Sequence, residues 1–253
     1  MLVADITGHG PDLVLVHGIT ESARSWDPLI AALAGDHRVI AVDLRGHGRS
    51  AGGGPWDLAT MAADVHEVVA AHSAHAPLLV GHSLGGTVVT AYAAARPARG
   101  VVNVDQSLAL DGFQEALRAV EPVLRGPVEG FEALVGQLFV GLRGRLDDDG
   151  WARLEGLRRA DQEVVLGIWA PVLETPAAGL RALVADLAGA VTVPYLALHG
   201  EAPGERYGPW LRGLIPTATV ECWDGLGHYP HLVEPERFVA RLRAFEATLA
   251  PAG

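Results

Sequence analysis

The chain has 253 residues, of which 49% are hydrophobic, and its formal net charge at pH 7 is −11. This length favours one large α/β domain over two small domains, and the acidic balance argues against a nucleic-acid partner, which would need a basic surface. The single cysteine, Cys222, excludes an internal disulfide bond, and no apolar run is long enough to span a bilayer. Residues 1–7 lack the basic and apolar regions of a secretory signal, so we expect a cytoplasmic protein.

Strand-like apolar runs alternate with helical patterns along the chain. This alternation predicts a mostly parallel sheet with helices on both faces, which is the α/β fold class. Ligands of such open sheets bind beyond the carboxyl ends of the strands, so polar residues that follow these runs are expected to meet in one crevice. The runs lie at residues 13–16, 39–42, 78–80, 101–104, 195–198 and 219–222.

The loop after the first run carries His17, Gly18 and Ile19. Attack on a carbonyl group creates an oxyanion, which two backbone N–H groups can stabilise if they are directed at it. A loop after an early strand can supply one of them, and Ile19 is the candidate donor. The alternative is that His17 and Gly18 form only a tight turn.

Residues 81–86, with the sequence GHSLGG, have the G-x-S-x-G form of a nucleophile elbow. In such an elbow a sharp turn between a strand and a helix exposes a serine hydroxyl, here that of Ser83, and the N–H of Leu84 is the second candidate oxyanion donor. The pattern alone is weak because the chain has 31 glycines, but an apolar run precedes it and a helical run of small residues, 87–95, follows it. We therefore favour a nucleophile over an incidental serine in a glycine-rich turn.

The region from residue 107 to 190 interrupts the alternation with helical patterns alone. Glycines and prolines divide it into about four or five helices, several of which have an apolar face. It is too long for an ordinary connection between two strands, so we predict a helical cap at 107–190, inserted into a core domain formed by 1–106 and 191–253. Trp151 and Trp169 are candidates to line a pocket beneath this cap, although such residues more often fill a helical core.

A loop after the last predicted strand carries His228, directly after Gly227. A serine hydroxyl is a weak nucleophile at neutral pH and needs a base within hydrogen-bond reach, which is the role we assign to His228. His231 is the competing candidate, but it lies nearer the start of the C-terminal helix, where packing or capping is more common.

The eleven histidines do not indicate a metal site. The sequence has no H-E-x-x-H motif and no Cys/His pair at ligand spacing, and His72 and His75 fall near the end of an alanine-rich helix. No G-x-G-x-x-G motif follows a strand and no P-loop is present, so we expect neither a metal nor a nucleotide cofactor.

Four segments together resemble the α/β-hydrolase fold family. They are His17-Gly18 followed by Trp26, residues 43–50 (DLRGHGRS), the elbow around Ser83, and Gly227-His228. The resemblance covers residues from about 12 to 105 and from 191 to 249, and it implies a capped serine hydrolase similar to esterases and lactonases. The family's D-x-R-G-x-G-x-S loop is structural, so residues 43–50 stay outside the predicted catalytic set.

The resemblance implies a catalytic triad of serine, histidine and an acidic residue. The acidic residue departs from the family pattern. Similar enzymes carry H-G-x-x-D after the penultimate strand, whereas residues 199–203 read HGEAP and place Pro203 at the position of the aspartate. A proline side chain cannot orient an imidazole. We predict that Asp105, which ends the strand after the elbow, is the acid, as in certain lactonases and haloalkane dehalogenases of this family. The alternatives are Glu201, Glu205 or the absence of an acid.

The resemblance implies hydrolysis of a carboxylic ester or lactone, a moderately hydrophobic small molecule, through an acyl-serine intermediate. The same residues would also serve thioester, amide or carbon–carbon bond cleavage. A catalytically silent ligand-binding protein is the first alternative, because Pro203 replaces the usual acid. The second is a cofactor-free lyase or isomerase in which His228 acts as a simple base and Ser83 is not acylated.

Overall fold

A computed structural model describes residues 1–50, 52–72 and 75–250 of the chain. Over these residues seven strands form one sheet: β1 (Ala4–Thr7), β2 (Asp12–Val16), β3 (Arg38–Val42), β4 (Leu78–His82), β5 (Gly100–Val104), β6 (Tyr195–His199) and β7 (Ala218–Cys222). Their order is β1-β3-β2-β4-β5-β6-β7, and all neighbouring strands are parallel except β1 and β3. The predicted α/β class with a mostly parallel sheet is therefore confirmed.

Helices cover both faces of this sheet. They are a 3₁₀ helix (Ala23–Trp26), α1 (Asp27–Leu33), α2 (Leu58–Ala71), α3 (Leu84–Ala95), α4 (Asp111–Leu124), α5 (Val128–Leu142), α6 (Asp148–Leu157), α7 (Gln162–Glu174), α8 (Ala177–Gly189), α9 (Tyr207–Leu214), α10 (Pro230–Val233) and α11 (Pro235–Glu246). In the described ranges, none of them combines the length and the apolar character needed to cross a membrane.

The inner strands are apolar at nearly every position because both of their faces are buried. In β2, Leu13 and Leu15 belong to the apolar cluster that contains α1 and α11, whereas Val14 and Val16 belong to the cluster that contains α2 and α3. Side chains alternate between the faces of a strand, so one continuous apolar run supplies both clusters.

Five consecutive helices, α4 to α8, connect β5 to β6. Their buried side chains, among them Leu117, Phe131 and Trp169, belong to the same apolar cluster as Val88 and Tyr92 of α3. The helical region therefore packs directly on the sheet domain and does not have a separate core.

Candidate active site

Ser83 lies in the sharp turn between β4 and α3, with backbone angles φ 52° and ψ −123°. This turn brings chain segments close together around two glycines. A Cβ atom at Gly81 would lie 2.1 Å from the carbonyl oxygen of Gly85, and one at Gly85 would lie 2.2 Å from that of Val16. Because both neighbours are backbone atoms, a side-chain movement cannot relieve either clash, and only glycine fits. The positive φ of Ser83 is a strained conformation of the kind that is concentrated at functional sites.

The His228 ring and the Asp105 carboxylate form a hydrogen-bonded pair. Asp105 directly follows β5, and its Oδ2 lies 2.6 Å from Nδ1 of His228. Its Oδ1 accepts a hydrogen bond of 2.7 Å from the backbone N–H of Gly200. Burial acts to raise the pKa of Asp105, but the hydrogen bonds from His228 and Gly200 outweigh it and hold that pKa below its usual value. The carboxylate is therefore ionised at neutral pH and can orient the imidazole.

The two alternative acids do not contact this histidine. Glu201 and Glu205 are exposed in the segment between β6 and α9. In the part of the chain that the structure describes, the carboxylate paired with His228 is that of Asp105. Of the three carboxylates considered for this role, the structure brings only Asp105 to the candidate base.

Burial lowers the pKa of His228 below the ordinary histidine value. The Asp105 carboxylate opposes this effect, and neighbouring His82 adds to it. The neutral imidazole, which is the form that can accept a proton, therefore dominates at neutral pH. His231, the competing base, is 1% exposed and packs on the indole of Trp26, with ring centroids 4.8 Å apart. It is not among the described residues that line the cavity containing Ser83.

Ile19 and Leu84 carry the candidate oxyanion donors, and both line the same cavity as Ser83. Leu84 is the first residue of α3, so its N–H has no acceptor within the helix. Among the described residues, no hydrogen bond engages the N–H of Ile19. Within the described residues, neither N–H group has a hydrogen-bond partner.

A cavity of about 420 Å³ lies between the sheet and helices α4, α5, α7 and α8, with Ser83, Asp105 and His228 in its wall. Among the described residues that line it, Asp105 and His228 are the two with acidic or basic side chains, and most of the remaining wall is apolar. Of the two tryptophans considered for this wall, Trp169 lies in it and Trp151 does not. The centroid of the Trp151 ring lies instead 4.5 Å from the guanidinium carbon of Arg158. Across the described ranges, no three His, Cys, Asp or Glu side chains are grouped as a metal ion would require.

The sequence interpretation missed a buried carboxylate beside the cavity, that of Glu21. This residue is 3% exposed and contacts Gly18, His82 and Tyr229. The sequence contains one indication of this residue, which is an acidic side chain two positions after Ile19. Its partners could not be read from that signal, because Glu21 and Tyr229 are 208 positions apart in the chain.

The chain is similar in sequence and in structure to known proteins. The family model described as alpha/beta hydrolase fold matches residues 11–200. The chain is 34% identical to the pimeloyl-(acyl-carrier protein) methyl ester esterase of Sodalis glossinidius (strain morsitans) over 238 residues, which cover 90% of this chain and 86% of that protein. It is similar to the crystal structure of esterase RhEst1 from Rhodococcus sp. ECU1013, with a TM-score of 0.74 and 29% identity, covering 98% of this chain and 95% of the other. Est816, described as an N-acyl homoserine lactone degrading enzyme, shares the fold with a TM-score of 0.78 at 21% identity over 96% of both chains.

Proposed function

Because this chain belongs to the α/β-hydrolase fold family and its relatives are esterases, we propose that it hydrolyses carboxylic esters or lactones through an acyl-serine intermediate. The family predicted from four sequence segments is confirmed by the match over residues 11–200. The observation that carries the proposed reaction is the placement of Ser83 and of the hydrogen-bonded pair His228 and Asp105 in the wall of one apolar cavity.

Each residue of this site has a defined role in the proposed reaction. Oγ of Ser83 attacks the carbonyl carbon, and Nε2 of His228 accepts the hydroxyl proton. The N–H groups of Ile19 and Leu84 hold the oxyanion of the tetrahedral intermediate. This intermediate collapses to the acyl-serine while His228 gives the proton to the departing alcohol. Asp105 fixes the proton on Nδ1 and stabilises the imidazolium, and water then hydrolyses the acyl-serine with His228 again as the base.

In this proposal residues 107–190, which contain helices α4 to α8, form the cap. Residues 1–106 and 191–253 form the core domain. Four of these helices contribute side chains to the cavity wall, which supports a role in selecting the substrate. Examples, one from each helix, are Phe113, Leu138, Ile168 and Leu183.

The acyl or lactone group that enters the cavity is moderately hydrophobic. A volume of about 420 Å³ suits a small molecule. A charged group on the substrate would lose its hydration without gaining an ion pair. Among the described lining residues there is no lysine or arginine to pair with an anion, and the Asp105 carboxylate is already engaged with His228. The methyl ester in the name of the Sodalis glossinidius relative is a carboxylic ester.

The wild-type protein is expected to form a covalent adduct with a fluorophosphonate probe at Ser83 and to hydrolyse p-nitrophenyl hexanoate. Peptide mass spectrometry locates the adduct, and absorbance follows the released p-nitrophenolate. The p-nitrophenyl monoester of adipic acid is the matched control, because it has the same chain length with a carboxylate in place of the terminal methyl group. We expect its kcat/KM to be at least about 10-fold lower, since the cavity offers that charge no partner.

Three other outcomes would each contradict part of the proposal. A protein with neither adduct nor turnover would be the ligand-binding alternative. Turnover without an adduct at Ser83 would favour the reading in which His228 acts as a simple base. Equal kcat/KM for the two esters would show that the apolar cavity does not select the acyl group.

The acid limb of the kcat/KM profile is expected to have its midpoint below pH 6.5, the ordinary pKa of histidine. The reaction needs neutral His228, and burial lowers the pKa of this residue although Asp105 and Glu21 oppose that effect. Activity is therefore present above the lowered pKa and is lost as the pH falls through it. Initial rates at low concentrations of p-nitrophenyl hexanoate across the acidic range measure the midpoint, and a value at or above the ordinary pKa would contradict this expectation.

A further inference from the structure

Glu21 is a buried carboxylate that has no role in the reaction proposed above. It is 3% exposed and follows the candidate donor Ile19 by two positions. A buried carboxylate is strongly destabilising unless hydrogen-bond donors or positive charges surround it. The groups that surround Glu21 therefore indicate what the residue does.

Three segments of the site meet at this carboxylate. Oε2 of Glu21 accepts a hydrogen bond of 3.4 Å from the N–H of Gly18 and lies 3.6 Å from Nδ1 of His82. Oε1 accepts a hydrogen bond of 3.2 Å from the hydroxyl of Tyr229. Gly18 belongs to the loop of the first oxyanion donor, His82 directly precedes the nucleophile, and Tyr229 directly follows the base. One carboxylate thus connects the neighbours of all three functional groups.

His82 extends this connection to the base. The backbone carbonyl oxygen of His228 can only accept a hydrogen bond, so Nε2 of His82 is the donor in their contact of 2.9 Å. The two rings also pack on each other, with centroids 4.6 Å apart. The His82 ring is therefore held between Glu21 on one side and the backbone of His228 on the other. The position of Glu21 can therefore affect the position of His228 through the His82 ring.

Three side chains of the site surround Gly18 closely. A Cβ atom at Gly18 would lie 3.1 Å from Nδ1 of His82, 3.3 Å from Cδ of Glu21 and 3.3 Å from Cβ of Ser83. All three distances are shorter than an ordinary van der Waals contact. The side chains of Glu21, His82 and Ser83 therefore converge on the backbone of the loop that carries Ile19.

The Glu21 carboxylate is ionised, and a residue of the proposed cap contributes to its charge balance. Burial acts to raise the pKa of Glu21, but His82 and Arg158 outweigh this effect and hold the pKa well below its usual range. Arg158 follows α6 and donates a hydrogen bond of 2.6 Å to the hydroxyl of Tyr229, which in turn donates to Glu21. The cap and the loop of the oxyanion donor are connected through this tyrosine.

We propose that Glu21 is a positioning residue, which sets the N–H of Ile19 and the imidazole of His228 relative to Ser83 without touching the substrate. Glu21 does not line the cavity, which separates this role from substrate binding. The inference rests on the proposed function, because it assigns Glu21 to the same site.

The test is the variant Glu21→Gln, which keeps the size of the side chain and removes its charge. We expect kcat for p-nitrophenyl hexanoate to fall by about 10- to 100-fold, since small misplacements of reacting groups have effects of this size. KM should change by less than about threefold, because the cavity wall is intact. The rate of fluorophosphonate labelling at Ser83 should fall by the same factor as kcat.

Glu246→Gln is the matched control. Glu246 is a partly buried glutamate that is likewise paired with a histidine, since its Oε2 lies 2.6 Å from Nε2 of His37, and it forms an ion pair with Arg99. It lies on α11, and both of its partners precede strands, at the end of the sheet opposite the site. This variant should lose thermal stability and keep the wild-type kcat and KM.

A folded Glu21→Gln variant with wild-type kcat, or with a change in KM alone, would overturn the positioning role. If Glu21→Gln does not fold, the variant Tyr229→Phe tests the positioning role instead. This substitution removes only the hydroxyl between Arg158 and Glu21. A kcat at least about threefold lower at unchanged KM would support the role, and an unchanged kcat would overturn it. Absence of turnover and labelling in the wild-type protein would contradict the proposed function instead, so the two failures are distinguishable.

Discussion

Replacing Ser83 by alanine is expected to lower kcat for p-nitrophenyl hexanoate by about 10⁵- to 10⁶-fold, because the substitution removes the atom that becomes acylated. The fold should be retained. Ser83 has a φ of 52°, which strains any side chain with a Cβ atom, and alanine and serine are alike in this respect. The measurement is kcat together with the melting temperature and with intact mass after fluorophosphonate treatment, which should show no adduct.

Ser107→Ala is the matched control for this variant. Ser107 lines the same cavity, but its hydroxyl accepts a hydrogen bond of 3.1 Å from the backbone N–H of Ala109 and has no base beside it. We expect activity and labelling close to those of the wild type. A Ser83→Ala protein that keeps more than about 1% of the wild-type kcat would exclude the acyl-serine intermediate as the main route.

The inner strands could be located from the sequence, whereas the edge strand β1 could not. Six predicted runs agree with β2 to β7 to within two residues. In β2 to β6 burial on both faces excludes polar side chains from nearly every position, whereas the other edge strand, β7, is only partly buried. β1 pairs only with β3, in the antiparallel sense, and its Ile6 is 40% exposed. The four residues of β1 form no strand-like run, so this strand is not predicted from the sequence.

The predictability of the candidate site depends on how local each feature is. The glycines around Ser83 are required by contacts within the elbow and the adjacent strand, so a pattern of six residues is enough to suggest it. The acid is different, because Asp105 and Glu201 follow β5 and β6, which are parallel neighbours that end at the same edge of the sheet. Sequence alone leaves either carboxylate within reach of the base. The path of the loop after β6, which presents the N–H of Gly200 to Asp105, decides the contact.

Asp105→Asn is expected to lower kcat by about 10⁴-fold with the fold intact, as loss of the orienting carboxylate does in serine triads. The asparagine carbonyl oxygen can still accept the 2.7 Å hydrogen bond from Gly200. Asparagine also tolerates the φ of 50° at this position. Its NH₂ group, however, can only donate toward Nδ1 of His228. The ring then carries its proton on Nε2, which is the atom that must accept the proton of Ser83.

Glu201→Gln and Glu205→Gln are the comparisons that separate a triad acid from a general loss of negative charge. Each removes one carboxylate from the same region of the surface, and both side chains are exposed, so neither should change kcat or the melting temperature. If one of them produced the large loss and Asp105→Asn did not, the assignment of Asp105 would be wrong. If all three variants kept the wild-type kcat, His228 would act without an orienting acid, and the neutral form favoured by its burial would be sufficient for the reaction.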